Sequence, residues 1–198
     1  MEETRSVPPG AGEPSPVRVL GFAGSLRTGS YNRAALRAAA GVLPGGVTME
    51  IFDLAPIPLY NEDVRAAGFP APVQSFRDRI QAADALLVVT PEYNYSVPGV
   101  LKNAIDWASR PPEQPFAGKP VAVMGASGGG FGTVRAQMHL RHSFVFLDMV
   151  PLNRPEVMIS SAQNKFDAGG NLTDDAVRAR IGELLEALAA LTRRLRGR

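Results

Sequence analysis

The sequence predicts an α/β fold built on a parallel sheet with helices on both faces. Two observations carry that expectation. Short apolar runs alternate with helical patterns, giving five β-α units in series. One run, residues 85–90 (ALLVVT), is apolar throughout, as strands covered on both faces are.

The elements follow in order. Val17–Ala23 (VRVLGFA) reads as a strand that stops at Gly24, and residues 32–43 as a helix with Ala35, Leu36, Ala39, Ala40 and Leu43 on one stripe. Pro44, Gly45 and Gly46 end that helix, Val47–Phe52 is a second strand, and residues 53–69 form a long loop holding Pro56 and Pro58. A helix over 73–82 precedes the apolar strand 85–90, and a helix over 98–109 follows it, with Pro98 tolerated in its first turn. Residues 121–126 make a fourth strand, 133–146 a helix and 157–160 a weak fifth strand. The last helix runs from Thr173, its expected N-cap, to about Leu195. Residues 17–198 are expected to form one domain.

Composition narrows the function classes. The chain has 198 residues, 45% hydrophobic and 20% charged, enough for a sizeable core. It contains no cysteine, so thiolate catalysis, disulfides and Cys-ligated metals are excluded. Net charge is +2, and Arg193, Arg194, Arg196 and Arg198 read as the solvated end of a helix, not a nucleic-acid footprint. Four of the 17 prolines fall in residues 1–16 with Gly10 and Gly12, which reads as a disordered extension without the apolar core of a secretory signal. No run reaches the roughly 18 apolar residues of a membrane span. A soluble, cytoplasmic protein is expected.

In an open parallel sheet, ligands bind at the carboxyl ends of the strands, so the loops after the first, third and fourth strands should carry the chemistry. The first loop, Gly24-Ser-Leu-Arg-Thr-Gly-Ser-Tyr-Asn32, offers tight-turn glycines, hydroxyl and amide donors from Ser25, Thr28, Ser30 and Asn32, and the guanidinium of Arg27. That is a phosphate cradle, although a plain strand-to-helix turn rich in small residues has the same look. Gly24 and Gly29 match the glycine spacing of GxxxxGK[ST], but Ser30-Tyr31 replaces Lys-Ser/Thr, so triphosphate hydrolysis is poorly supported. GxGxxG is absent too.

The second loop, residues 91–99 (PEYNYSVPG), sets Tyr93, Tyr95 and Asn94 at the end of the most buried strand. A flat heteroaromatic ring with carbonyl and N–H edges suits them, while either tyrosine alone could merely cap the core. The third, residues 127–133 (SGGGFGT), lets backbone approach a ligand closely ahead of a helix, or is simply flexible. All three lie at one edge of one sheet.

These residues resemble a known family. Gly24-Ser25-Leu26-Arg27 with Gly29, Ser30 and Asn32, then PEYNYSVPGVLKNAIDWASR over 91–110, GASGGGFGTVRAQMHLR over 125–141 and FDAGGNLTD over 166–174, are similar to the NADPH-dependent FMN reductases. The bacterial chromate, quinone and azobenzene reductases look nearest among them. The resemblance implies a flavodoxin-like three-layer sandwich with five parallel strands in the order 2-1-3-4-5. It implies FMN as cofactor and NADPH or NADH as co-substrate. Ser25, Arg27, Ser30, Tyr31 and Asn32 would hold the FMN phosphate. Pro91, Glu92, Tyr93, Asn94 and Tyr95 would border the ring, and Ser127, Gly128 and Gly129 would touch its other edge. Hydride would pass from NAD(P)H to a small quinone, azo or chromate acceptor in ping-pong order, with the chemistry carried by FMN and no proton-transfer residue needed. Glu92 is expected as a structural or edge contact. A flavodoxin-type electron carrier, a reductase that releases reduced FMN to a partner, and a phosphate-binding protein without redox function are the competing readings.

His139 and His142, three apart on one helix, lack a nearby carboxylate, so no metal site is expected. Val97, Leu101, Ala104, Ile105 and Ala108 form a core stripe, and Val100, Ala104 and Trp107 a second one that suggests a subunit interface. Relatives are commonly homodimers or homotetramers.

Overall fold

The computed structural model describes residues 15–197. The extension expected over residues 1–16 lies, apart from its last two residues, outside the described residues. The strands are β1 (Val17–Ala23), β2 (Val47–Phe52), β3 (Ala85–Val89), β4 (Pro120–Ala126), β5 (Val150–Pro151) and β6 (Val157–Ile159). They form one parallel sheet in the order β2-β1-β3-β4-β5, with β6 also pairing β4. The order expected from the resemblance is therefore present. The fifth position holds two short strands: β5 pairs the start of β4 and β6 its end.

The helices are α1 (Tyr31–Ala40), α2 (Glu62–Ala66), α3 (Ala71–Ala82), α4 (Gly99–Ala108), α5 (Val134–Phe146) and α6 (Asp175–Arg196), with a short 3-10 turn at Ala162–Asn164. Alternation along the central strands sorts the core into two layers. Val19 of β1, Leu87 of β3 and Met124 of β4 join Leu36 of α1 and Leu188 of α6 on one face. Leu20, Leu86 and Val123 meet Phe76 of α3, Trp107 of α4 and Phe144 of α5 on the other.

The structure revises three local expectations. The loop at 53–69 contains α2, a single short helix that buries no side chain. The last helix is capped by Asp174 instead of Thr173, its carboxylate accepting from the Val177 amide at 2.9 Å. Trp107 is no interface residue: it is 0% exposed. Loop 53–61 folds across α4, where Trp107 Nε1 donates to the Pro58 carbonyl at 2.9 Å and the ring meets Tyr60 edge-on at 4.9 Å. Asn103 holds the same loop, accepting from the Tyr60 amide and donating to Pro58. Exposed apolar side chains are found instead on α5, at Met138, Val145 and Phe146, as well as on the loops, where Leu59 and Phe131 stand out. Among the described residues no helix is long and apolar enough to cross a membrane.

Candidate functional site

The loops after β1, β3 and β4 meet at the carboxyl edge of the sheet, around an open cleft of about 250 Å³. Ser25, Arg27, Ser30, Tyr31 and Asn32 line one side, and Pro91, Glu92, Tyr93, Ser127 and Gly128 the other. Ala126 joins them. Asn94, Tyr95 and Gly129 lie in the same loops but do not line this cleft.

Ser30 is the N-cap of α1 and its hydroxyl accepts from the Arg33 amide at 3.3 Å. The amides of Tyr31 and Asn32 precede any intrahelical acceptor, so they remain donors at the positive end of the helix. Arg27 folds over its own loop, donating to the Gly29 carbonyl at 2.6 Å, with its guanidinium 5.7 Å from the Tyr31 ring centre. Tyr31 in turn packs on Phe166 at 5.4 Å. Among the described residues Arg27 forms no ion pair, and the loop contains no acid. A Cβ placed at Gly29 would meet nothing within 4 Å. Free amides, two buried hydroxyls and an unpaired guanidinium around open space fit a phosphate monoester.

Asn32 has a different local task. Its side-chain amide donates to the Ala126 carbonyl at 2.9 Å and accepts from the Ala126 amide at 2.8 Å. Both ends are thus committed to clamping the first loop onto the end of β4, which leaves its backbone amide as the donor at the cradle.

The second loop turns back sharply. Tyr93 and Ser96 exchange backbone hydrogen bonds at 3.1 and 3.0 Å, and the two residues between them, Asn94 and Tyr95, have φ of 50° and 64°. Two successive positive φ values define a type I′ turn, for which glycine is usual at the second place. Tyr95 there carries local strain of the kind found at binding sites. Its ring stacks 3.9 Å from the Arg135 guanidinium, which also lies 4.9 Å from the Phe131 ring.

Glu92 caps α5, whose own N-cap Thr133 makes no side-chain capping bond and accepts instead from Gln137 Nε2 at 3.0 Å. Its carboxylate accepts from the Arg135 and Ala136 amides at 2.9 and 3.2 Å and from Arg135 Nη1 at 2.9 Å. Burial pushes the Glu92 carboxyl up. The Arg135 side chain and the two amides outweigh that and hold it below the usual carboxylate range. The group therefore stays ionised and ties the second loop to the start of α5.

The glycine-rich third loop is pinned. Ser127 donates its amide to Ile159 and accepts from Ala162, while Gly129 accepts from the Ser161 amide and donates to Ser127 Oγ. Gly125, just before it, is obligatory: a Cβ there would lie 2.1 Å from the Thr90 carbonyl oxygen. Sequence reasoning missed the supporting cast of Arg135, Phe166 and the 159–162 segment. The motif stretches 125–141 and 166–174 could have flagged Arg135 and Phe166, whereas nothing in the sequence points to 159–162.

Comparison with known proteins fits this geometry. The sequence profile described as NADPH-dependent FMN reductase matches residues 17–164. The chain belongs to that family. It is 65% identical over 181 residues to the NAD(P)H-dependent FMN reductase PA1204 of Pseudomonas aeruginosa, covering 91% of this chain and 98% of that one. It is 48% identical over 153 residues to the quinone reductase of Escherichia coli, covering 76% and 81%. The solved structure of FerB, a flavoenzyme NAD(P)H:(acceptor) oxidoreductase from Paracoccus denitrificans, superimposes with a TM-score of 0.81 at 34% identity, over 90% of this chain and 98% of that one. An archaeal flavodoxin, 12% identical at a TM-score of 0.61, shares the fold. This NADPH-dependent FMN reductase family member is thus a flavodoxin-like oxidoreductase that uses FMN and NAD(P)H.

Proposed function

We propose that this family member is an NAD(P)H-dependent quinone reductase that keeps FMN in the cleft between the loops after β1, β3 and β4, with residues 17–198 acting as one FMN-binding domain. The observation that carries the proposal is the convergence of an acid-free, arginine-bearing helix start with the tyrosine and glycine loops around one opening. Bound FMN supplies the capacity to accept and donate hydride.

The chain's residues bind and orient. Arg27, the Ser25 and Ser30 hydroxyls and the Tyr31 and Asn32 amides would hold the phosphate, whose nearly two negative charges suit one guanidinium and a helix N-terminus. Pro91, Glu92, Tyr93, Asn94 and Tyr95 would border the ring, held in place by the Glu92 cap and the tight turn. Ser127, Gly128 and Gly129 would face its other edge, where rigid amides favour a charge that develops on reduction. No side chain is needed to move a proton.

Quinones are the proposed acceptors because relatives such as those of Solanum tuberosum and Escherichia coli are named for quinone reduction. Azo compounds and chromate are proposed as further acceptors of the same site. Nicotinamide and acceptor would alternate in one place. Initial rates against NADPH at several fixed benzoquinone concentrations should give parallel double-reciprocal lines, and intersecting lines would overturn the shared site. We also propose a homodimer or homotetramer, assembled through the α5 face that exposes Val145 and Phe146.

A further inference from the structure

A second cleft, of about 220 Å³, opens at the same edge of the sheet beside the first. Leu36, Ile51 and Phe52 line it with apolar surface, and Arg33, Arg37 and Asp53 add charge. Ser25 lines both clefts, so they adjoin.

The two arginines are loosely held. Arg33 meets Asp53 at 3.3 Å, with the side chains 37% and 51% exposed. Arg37 donates to the Gly170 carbonyl at 3.3 Å. Both distances lie at the long end for N–H···O bonds, and each guanidinium has five donors, so most of its capacity is unspent. Asp53 is better fixed, since its Oδ1 accepts from the Ala55 amide at 3.0 Å. The arginines are four apart on α1 and so share one helix face.

Position along the sheet matters as much as chemistry. With strands in the order β2-β1-β3-β4, the ends of β2 and β4 are three spacings apart, about 14 Å. A ligand with one ring at the loops after β3 and β4 and an extended arm along the sheet edge would bring its far end to Asp53. An apolar lining suits a purine, a pair of guanidiniums suits a phosphate monoester, and a carboxylate at the end of the second strand suits a ribose hydroxyl.

We propose that this second cleft takes the adenosine end of the nicotinamide dinucleotide, with Arg33 and Arg37 on the 2′-phosphate of NADPH and Asp53 tempering that preference toward NADH. The inference rests on reading the first cleft as the flavin site. Asp53 repels a 2′-phosphate but accepts from a 2′-hydroxyl, so the two dinucleotides would both be used, with the arginines tilting the balance.

The test is calorimetric titration of the FMN-loaded protein with adenosine 2′,5′-bisphosphate and with 5′-AMP; loading keeps both probes out of the first cleft. The wild type should bind the bisphosphate at least about tenfold more tightly, the scale of one charge-assisted hydrogen bond. Arg33→Ala and Arg37→Ala should each remove most of that preference, Arg37→Lys should keep part of it, and Asp53→Asn, which retains the oxygen facing Ala55, should enlarge it. Equal affinities in the wild type, or a preference that survives both alanine changes, would overturn the assignment. NADPH consumption by the wild type with added quinone reports separately on the first cleft. If the wild type takes up FMN and consumes NADPH while the titration shows no preference, the adenosine site falls and the flavin reading stands; if it takes up no FMN, both fall.

Discussion

Replacing Arg27 with alanine removes the one guanidinium from a loop that has no acid to neutralise it. Among the described residues its only hydrogen bond is to Gly29 two residues on, and its ring contact is to Tyr31 in the next turn. Nothing distant leans on it, so unfolding free energy should change by no more than about 0.5 kcal/mol. Binding is another matter. A charge-assisted hydrogen bond to phosphate contributes about 1.5–3 kcal/mol, and solvent screening at this exposed position favours the lower part, about 1.5–2 kcal/mol. That converts to a roughly 10- to 30-fold rise in the FMN dissociation constant. Titration of apoprotein followed by flavin fluorescence measures it, with riboflavin, which lacks the phosphate, as control. FMN should lose affinity in Arg27→Ala while riboflavin holds its own, and added salt should shrink the difference. Unchanged FMN affinity, or an equal loss for both flavins, would refute the phosphate role.

Three further outcomes follow from particular contacts. Asn32→Ala strands the buried amide and carbonyl of Ala126, costing about 2–4 kcal/mol of stability in chemical denaturation; an unaltered midpoint would show that the clamp matters little. Phe146→Asp should shift the protein to smaller species in light scattering with little loss of monomer stability, since the side chain is 83% exposed in the single chain; a monomeric wild type would end the assembly proposal. Burial pushes the Asp84 carboxyl up, but hydrogen bonds from Arg18 and Arg196 and the Arg196 charge pull it down from 3.8 to about 2. Its contribution is thus present above the unfolded value near 3.8 and fades as pH falls toward about 2. It is worth at most about 2 kcal/mol given how exposed its partners are, so the stability gap between wild type and Asp84→Asn should close over that window in denaturation curves. A gap that persists at pH 2 would contradict the pairing.

Much of the candidate site was legible because its signals are local. Ser25, Arg27 and Ser30 sit in one strand-to-helix turn whose glycines and hydroxyls announce themselves. Tyr93 and Ser127 follow strands whose continuous apolar runs mark them as central. Once the sheet order is granted, these loops must meet at one edge. An amide in such a loop can hold phosphate, which is all that Asn32 shows locally; its tie to Ala126, 94 residues away, has no local trace.

Trp107 marks the boundary most clearly. Helical spacing places it on a stripe beside the core, and spacing alone cannot say what covers that stripe. The sequence by itself determined the succession of strands and helices along the chain, the burial of β3 and the positions of the three loops, since each depends on residues within a turn or two. Tertiary structure decided that loop 53–61 would close over Trp107, that Glu92 would cap a helix more than forty residues later, and that the 159–162 segment would hold the glycine loop. Those choices pair backbone and side-chain groups brought together only when the sheet forms. A buried polar group takes whichever partner the assembled fold offers, and no periodicity records that partner in advance.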